Sequence, residues 1–237
     1  MSWFVTYLRS SIGAKHVMAV TGLALVLFAI VHMLGHFGMF VGPDAYNSYA
    51  YTLQSMGVIK WTVRAGLLAV FIIHVVSAIQ VSVENRAARP VKYAVYRTKR
   101  TNIMARTMAL TGLFLFAFIG FHLVHFTFGL VQPEHFHQVD QLALNQVPPV
   151  TRPDAYSMFV WGFTNVPLYV VYLISIALLS LHLGHGASSW VQSLGLRHPK
   201  YSPLLDKLGP LISLILFVGY MAPPTAVLLG VIKLPGA

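Results

Sequence analysis

The sequence predicts an all-α integral membrane fold, a bundle of five transmembrane helices, on three observations. Of the 237 residues 57% are hydrophobic and only 9% charged, whereas a soluble domain carries about a quarter of its residues as Asp, Glu, Lys or Arg. Five apolar runs can cross a hydrocarbon core about 30 Å thick, which at about 1.5 Å per residue takes roughly 20 residues of helix. The basic residues, finally, cluster between alternate runs. The chain reads as a single membrane domain over residues 1–237.

The elements follow in order. Trp3, Phe4, Tyr7 and Leu8 beside Arg9 suit a segment lying in the membrane interface before the first span. The spans are expected over 15–40, 60–85, 105–131, 157–190 and 207–233. The first is too long for a signal-peptide core and lacks a small-x-small cleavage site, so it is read as a mature helix. Pro167, Pro223 and Pro224 fall inside spans, where neighbouring helices re-satisfy the freed carbonyls; bends are expected there, not boundaries. No internal repeat is expected, and the inverted-repeat pattern of a transporter is missing.

The loops set the orientation, because Lys and Arg accumulate on the cytoplasmic side. Arg9 and Lys15, then Arg86, Arg89, Lys92, Arg97, Lys99, Arg100 and Arg106, then Arg197, Lys200 and Lys207 make twelve of the sixteen basic residues. The other side has Lys60, Arg64, Arg152 and Lys233 with four of the six acids, Asp44, Glu134, Asp140 and Asp154. The expectation is a multi-pass protein of a bacterial cytoplasmic (inner) membrane, N-terminus cytoplasmic and C-terminus outside. The net charge of +10 is then a topology signal, since the basic residues are not interleaved with aromatics as on a nucleic-acid-binding face.

There is no cysteine, which excludes disulfides, iron–sulfur clusters and covalently attached c-type haem. Metal chemistry would fall to histidine, and seven of the eleven histidines lie within spans: His32, His36, His74, His122, His125, His182 and His185. A single buried histidine is ordinarily a neutral group hydrogen-bonded across helices, but seven on four helices mark a functional interior. Depth sorts them. His32 and His122 lie about 16 residues from the cytoplasmic ends of their helices, His74 and His182 about 8 or 9, so the two levels differ by about 10 Å at 1.5 Å per residue. Two imidazoles at one height from two helices are what bis-histidine haem needs, which pairs His32 with His122 and His74 with His182 around two stacked b haems. His36 and His125 form a rival outer pair that depth alone leaves open, and His185, one turn from His182, would bond a haem propionate or serve structure. His16, His135, His137 and His198 lie in loops or at span ends, where solvation is the ordinary reading. A zinc site is disfavoured, because the histidines are spread over two levels instead of clustered tetrahedrally.

Four segments carry a resemblance: AIVHMLGHF around His32 with GPDAYNSYA after it, FIIHVVSAIQ around His74, FIGFHLVHF around His122, and SLHLGHGASSW around His182. Together with the basic ENRAARPVKYAVYRTKR after the second span, they resemble the cytochrome b subunit of succinate:quinone oxidoreductases (succinate dehydrogenase and fumarate reductase), in the class where one five-helix chain holds two haems. The likeness covers almost the whole chain. It implies His32, His74, His122 and His182 as axial ligands of the haem iron, and partner subunits on the cytoplasmic face: a flavoprotein with FAD and the dicarboxylate site, and an iron–sulfur protein. This chain would be the quinone-reactive anchor, with no dicarboxylate site of its own, passing electrons between the clusters and quinone, usually menaquinone for this class. Some relatives that reduce fumarate place a glutamate two residues before the fourth-helix ligand; here that residue is Ser180.

A quinone site needs a flat apolar slot with a donor and proton carrier at the carbonyls, and the candidates near the outer pair are Asp44, Tyr46, Asn47 and Gln54, residue types that also make turns and caps. Two other functional classes stay open on the sequence: a dihaem cytochrome b serving another quinone-linked dehydrogenase or a hydrogenase, and a haem-free transporter that moves protons on buried histidines.

Overall fold

The computed structural model describes residues 2–91, 103–136, 138–145 and 148–236. Lys92, Arg97, Lys99, Arg100 and His137, which figure in the topology and histidine arguments, lie outside the described residues. In chain order the helices are α1 (Trp3–Leu8), α2 (Ser11–His36), α3 (Gly38–Val41), α4 (Pro43–Ser55), α5 (Val58–Ala87), α6 (Ile103–Phe126), α7 (Pro133–Phe136), α8 (Gln141–Leu144), α9 (Ala155–Thr164), α10 (Val166–Ser193) and α11 (Ser202–Leu228). Among the described residues the only bridge of β type is the isolated pair Val139 and Pro153.

Five stretches are long and apolar enough to cross a membrane: Ser11–Val41, Val58–Ala87, Ile103–Phe126, Val166–Ser193 and Ser202–Leu228. The fold is therefore all-α with five membrane-spanning helices, and the chain is a multi-pass membrane protein. Its apolar surface agrees, since Val20, Val31, Leu68, Leu113 and Leu214 are exposed mid-helix, as suits lipid and not water. Ahead of the first span, α1 is a separate turn and a half of helix with no buried residue and with Trp3 80% exposed.

Two boundaries differ from the sequence reading for definable reasons. α6 stops at Phe126, short of 131, because Gly129 adopts φ +67° and the Leu130 N–H closes onto the Val124 carbonyl at 3.0 Å, a glycine-terminated helix end. The fourth span begins with a break and not a bend: α9 ends at Thr164, Asn165 is extended, and its side chain accepts from the Leu168 N–H at 3.2 Å. Pro167 thus takes the second position of a new helix, where its missing N–H costs nothing. Pro223 and Pro224, by contrast, sit within unbroken α11.

Contacts gather the chain into two compact units, and each of the five long helices contributes residues to both. The first is Met1–Ala29, Val63–Leu113 and Ser180–Leu214; the second is Ile30–Thr62, Phe114–Leu179 and Ile215–Ala237. In the first, α10 meets α11 through small residues. A Cβ on Gly184 would lie 2.6 Å from the Gly209 carbonyl, and one on Gly209 would lie 2.9 Å from Ser188 Oγ. Gly184 and Ser188, like Gly209 and Ser213, are four apart and share a face, the pattern by which helices in lipid approach closely. The second unit has an aromatic core, with Tyr46, Phe118, Tyr156, Phe159, Phe163 and Tyr172 packed with Met39 and Met221.

The helix crossing generates a first prediction. Gly184→Val should cost about 1–3 kcal/mol by overpacking, seen as a lowered thermal unfolding midpoint in detergent. Gly186→Val two residues on, where an added Cβ meets nothing within 4 Å, should leave the midpoint close to wild type.

Candidate functional site

The span histidines fall into the two units by pairs. In the second unit His32, from α2, faces His122, from α6, with ring centroids 5.9 Å apart and planes at 83°. His36 and His125 join the same neighbourhood, each tied to a tyrosine. His36 Nδ1 lies 2.9 Å from the Tyr46 hydroxyl and its Nε2 3.4 Å from His32 Nε2. His125 has both nitrogens engaged, Nδ1 with the Tyr172 hydroxyl at 3.0 Å and Nε2 with Gln132 Oε1 at 3.2 Å, and its ring is buried. The Tyr172 hydroxyl also reaches His122 Nδ1 at 3.3 Å.

The first unit holds His74, from α5, and His182, from α10, with His185 three residues beyond His182. The His74 and His182 rings each rest against a threonine–glycine step on another helix. His74 Nδ1 is 3.2 Å from Thr21 Oγ1 and 3.2 Å from the Met18 carbonyl, and a Cβ on Gly22 would come within 3.0 Å of its Cε1. His182 Nδ1 is 3.1 Å from Thr111 Oγ1, and a Cβ on Gly112 would come within 3.5 Å of its Cε1.

The residues fit a haem at each pair. Both pairs bring one imidazole from each of two helices, and His32, His74, His122 and His182 are only half-buried although they lie within membrane spans, so the rings present surface to an occupant. Gly22 lets the His74 ring pack tightly against α2, while Gly112 stands at ordinary contact distance from His182. Two residues before His182, the Ser180 hydroxyl is buried without a hydrogen-bond partner among the described residues, which is costly in an apolar span and leaves a donor for a bound group. His36 and His125 are less suited: the second has no nitrogen left over, and the first shares His32.

Three of these neighbours were not singled out from the sequence. Thr21–Gly22 precedes His32, and Thr111–Gly112 precedes His122, with the same eleven-residue interval from threonine to histidine. That is a local internal repeat in α2 and α6, contrary to the expectation of none. Eleven residues is close to three helical turns, so threonine and histidine share a helix face. Tyr172 is the third, and nothing in its VYLIS context distinguishes it from an ordinary apolar-span tyrosine.

The candidates for a quinone site divide. Asn47, 1% exposed, donates from Nδ2 to Asp140 and to Asp154, both at 3.0 Å, and accepts from the Tyr156 N–H at 2.8 Å. Its amide is fully committed to tying α4 to the 138–154 loop and α9. Asp44 accepts from Arg152 Nη2 at 2.6 Å, while buried Arg152 also donates from Nε to Asp140 at 2.8 Å. Tyr46 bonds His36, and burial pushes its phenol above the ordinary range. Gln54 uses its backbone carbonyl for Lys60 at 2.7 Å. Elsewhere, His135 stacks on Trp161 at 4.5 Å, His16 meets the Tyr7 hydroxyl, and His198 accepts from the Lys200 N–H.

Burial by itself would raise the Asp140 carboxyl. Hydrogen bonds from Arg152, Asn47 and the Ala143 N–H, together with the guanidinium charge, outweigh it and hold the group below the ordinary carboxylate range. Burial would likewise lower Arg152, and the carboxylates of Asp44 and Asp140 raise it instead. Since the Asp140 value is depressed by folding, its contribution is complete above the unfolded value of about 3.9 and disappears as pH falls through the folded value. Unfolding midpoints should therefore be insensitive to this group from pH 8 to 5. Arg152→Ala should cost about 3–5 kcal/mol by leaving a buried carboxylate unpaired, whereas Asp44→Ala, at a 65% exposed carboxylate, should cost no more than about 1 kcal/mol; thermal unfolding at neutral pH distinguishes them. No family model, curated protein or solved structure matches this chain.

Proposed function

We propose that the chain is the membrane-anchor dihaem cytochrome b subunit of a succinate:quinone oxidoreductase, a succinate dehydrogenase or fumarate reductase of the respiratory chain. The observation that carries the reading is the partition of the four histidines: His32 with His122 and His74 with His182, each pair drawn from two different helices and each within its own compact unit. A proton-carrying transporter has no need of that arrangement.

In this reading each pair holds one b haem through its imidazoles, and the haems supply one-electron transfer between a two-electron quinone and one-electron clusters. The chain's own work is to hold the imidazoles, exclude water and insulate the carriers in an aromatic and aliphatic shell. The clusters and the flavin belong to an iron–sulfur subunit and a flavoprotein docked on the cytoplasmic face, because this chain lacks the cysteines for clusters. The electron acceptor or donor in the membrane is menaquinone. The orientation follows from the basic loops, with the N-terminus cytoplasmic in a bacterial inner membrane.

The test is haem b per polypeptide in the purified complex, by pyridine haemochrome. Wild type should hold two, and alanine at His32, His74, His122 or His182 should each remove one; His125→Ala should retain both. A well-folded wild type without haem would overturn the reading.

A further inference from the structure

The tautomer of a neutral imidazole decides what it can bind, since the nitrogen bearing hydrogen donates and the other offers a lone pair. Around three of the four paired histidines the neighbours favour one choice. Thr111 has a single hydroxyl proton and donates it back along its own helix, with the Thr107 carbonyl at 3.0 Å and the Met108 carbonyl at 3.2 Å. With its proton placed there, it meets His182 Nδ1 at 3.1 Å with a lone pair. Thr21 behaves in the same way, donating to the Val17 carbonyl at 2.7 Å and facing His74 Nδ1 with a lone pair, beside the Met18 carbonyl, which is also an acceptor. In both rings Nδ1 then carries the hydrogen, and Nε2 is left bare.

His122 reaches the same state through a longer chain whose direction is set at its far end. Gln132 donates from Nε2 to the Trp161 carbonyl at 3.4 Å, so its Oε1 accepts from His125, whose Nε2 bears the hydrogen. His125 Nδ1 then accepts the Tyr172 hydroxyl proton, and the Tyr172 oxygen has lone pairs for His122 Nδ1–H. Every bond in the series has one donor and one acceptor.

We infer that Thr21, Thr111 and Tyr172 are positioning residues, which hold His74, His182 and His122 in the tautomer that leaves Nε2 free for iron. The inference rests on the dihaem reading and adds the groups that act on the ligands from behind. A hydrogen bond at Nδ1 raises the basicity of the ligating nitrogen, which favours the ferric state and lowers the midpoint potential. The interval shared by Thr21 and His32 and by Thr111 and His122 gives the two threonines equivalent roles, each on a helix that also presents a ligand to the other pair. They are not equally exposed to loss: His74 keeps the Met18 carbonyl as a second acceptor, whereas Thr111 is the acceptor described for His182.

Valine matches threonine in shape without the hydroxyl, and serine keeps the hydroxyl. In the full chain, Thr111→Val should raise the midpoint potential of one haem and weaken haem retention about 10- to 100-fold; Thr111→Ser should restore both. Thr21→Val should give a smaller shift in the same direction, and Tyr172→Phe should shift the other haem. Nitrogen-15 spectra of histidine-labelled full chain without haem provide a separate readout, in which Thr111→Val removes one Nδ1–H imidazole signature and Thr111→Ser returns it. Two haems with unchanged potentials and an unchanged nitrogen spectrum in Thr111→Val would overturn the positioning role while leaving the dihaem reading intact. A haem-free wild type that still loses the Nδ1–H signature in Thr111→Val would overturn the dihaem reading and leave the tautomer assignment standing.

Discussion

An imidazole inside an apolar helix brings at least one N–H that water cannot satisfy, and in hydrocarbon each unsatisfied group costs several kcal/mol. That constraint organises much of the interior. Thr21, Thr111, Tyr46, Tyr172 and Gln132 are placed where an imidazole nitrogen needs a partner, and Gly22 lets the His74 ring pack closer to α2 than a Cβ there would comfortably allow. The same requirement acts on the 138–154 loop. There Asn47 and Arg152 satisfy carboxylates that are removed from solvent, and the guanidinium keeps Asp140 ionised despite its burial.

Apolar length fixes the five spans, and it is the strongest signal a sequence carries, so the positions of four of the five long helices were legible to within five residues at each end, while the fourth begins nine residues later than expected. Their ends were less so. The break at Asn165 depends on one side chain turning back to cap Leu168, and the stop after Phe126 on the φ of one glycine; neither leaves a trace in hydropathy. Histidine depth grouped His32 with His122 and His74 with His182, because a regular rise converts sequence position into height. Which hydroxyl stands behind which ring could not be read that way, since it depends on helix rotation and on the order in which helices neighbour one another. The threonine–glycine interval was present in the sequence all along, but two matched positions in apolar runs do not stand out until a ring is seen against each.

The quinone candidates show the opposite case. Asp44 and Asn47 are polar residues just beyond a span, a pattern shared by ligand-binding and loop-anchoring groups. Packing separates the two uses: Asn47 is almost fully enclosed and has three partners from the following loop and helix, which is the signature of an anchor.

The break before Pro167 bears on the order in which the molecule assembles. α9 is ten residues long, about half of what a bilayer requires, and Ala155, Tyr156, Ser157, Phe159, Val160, Gly162 and Phe163 are all buried in it. A helix with seven of its ten residues buried and too short to span cannot be inserted as a unit of its own. Its environment exists only once Met39, Tyr46, Phe118, Tyr172 and Met221 have come together around it. The long helices can enter the membrane one after another during synthesis, whereas α9 gains its enclosure only from helices that have already packed together.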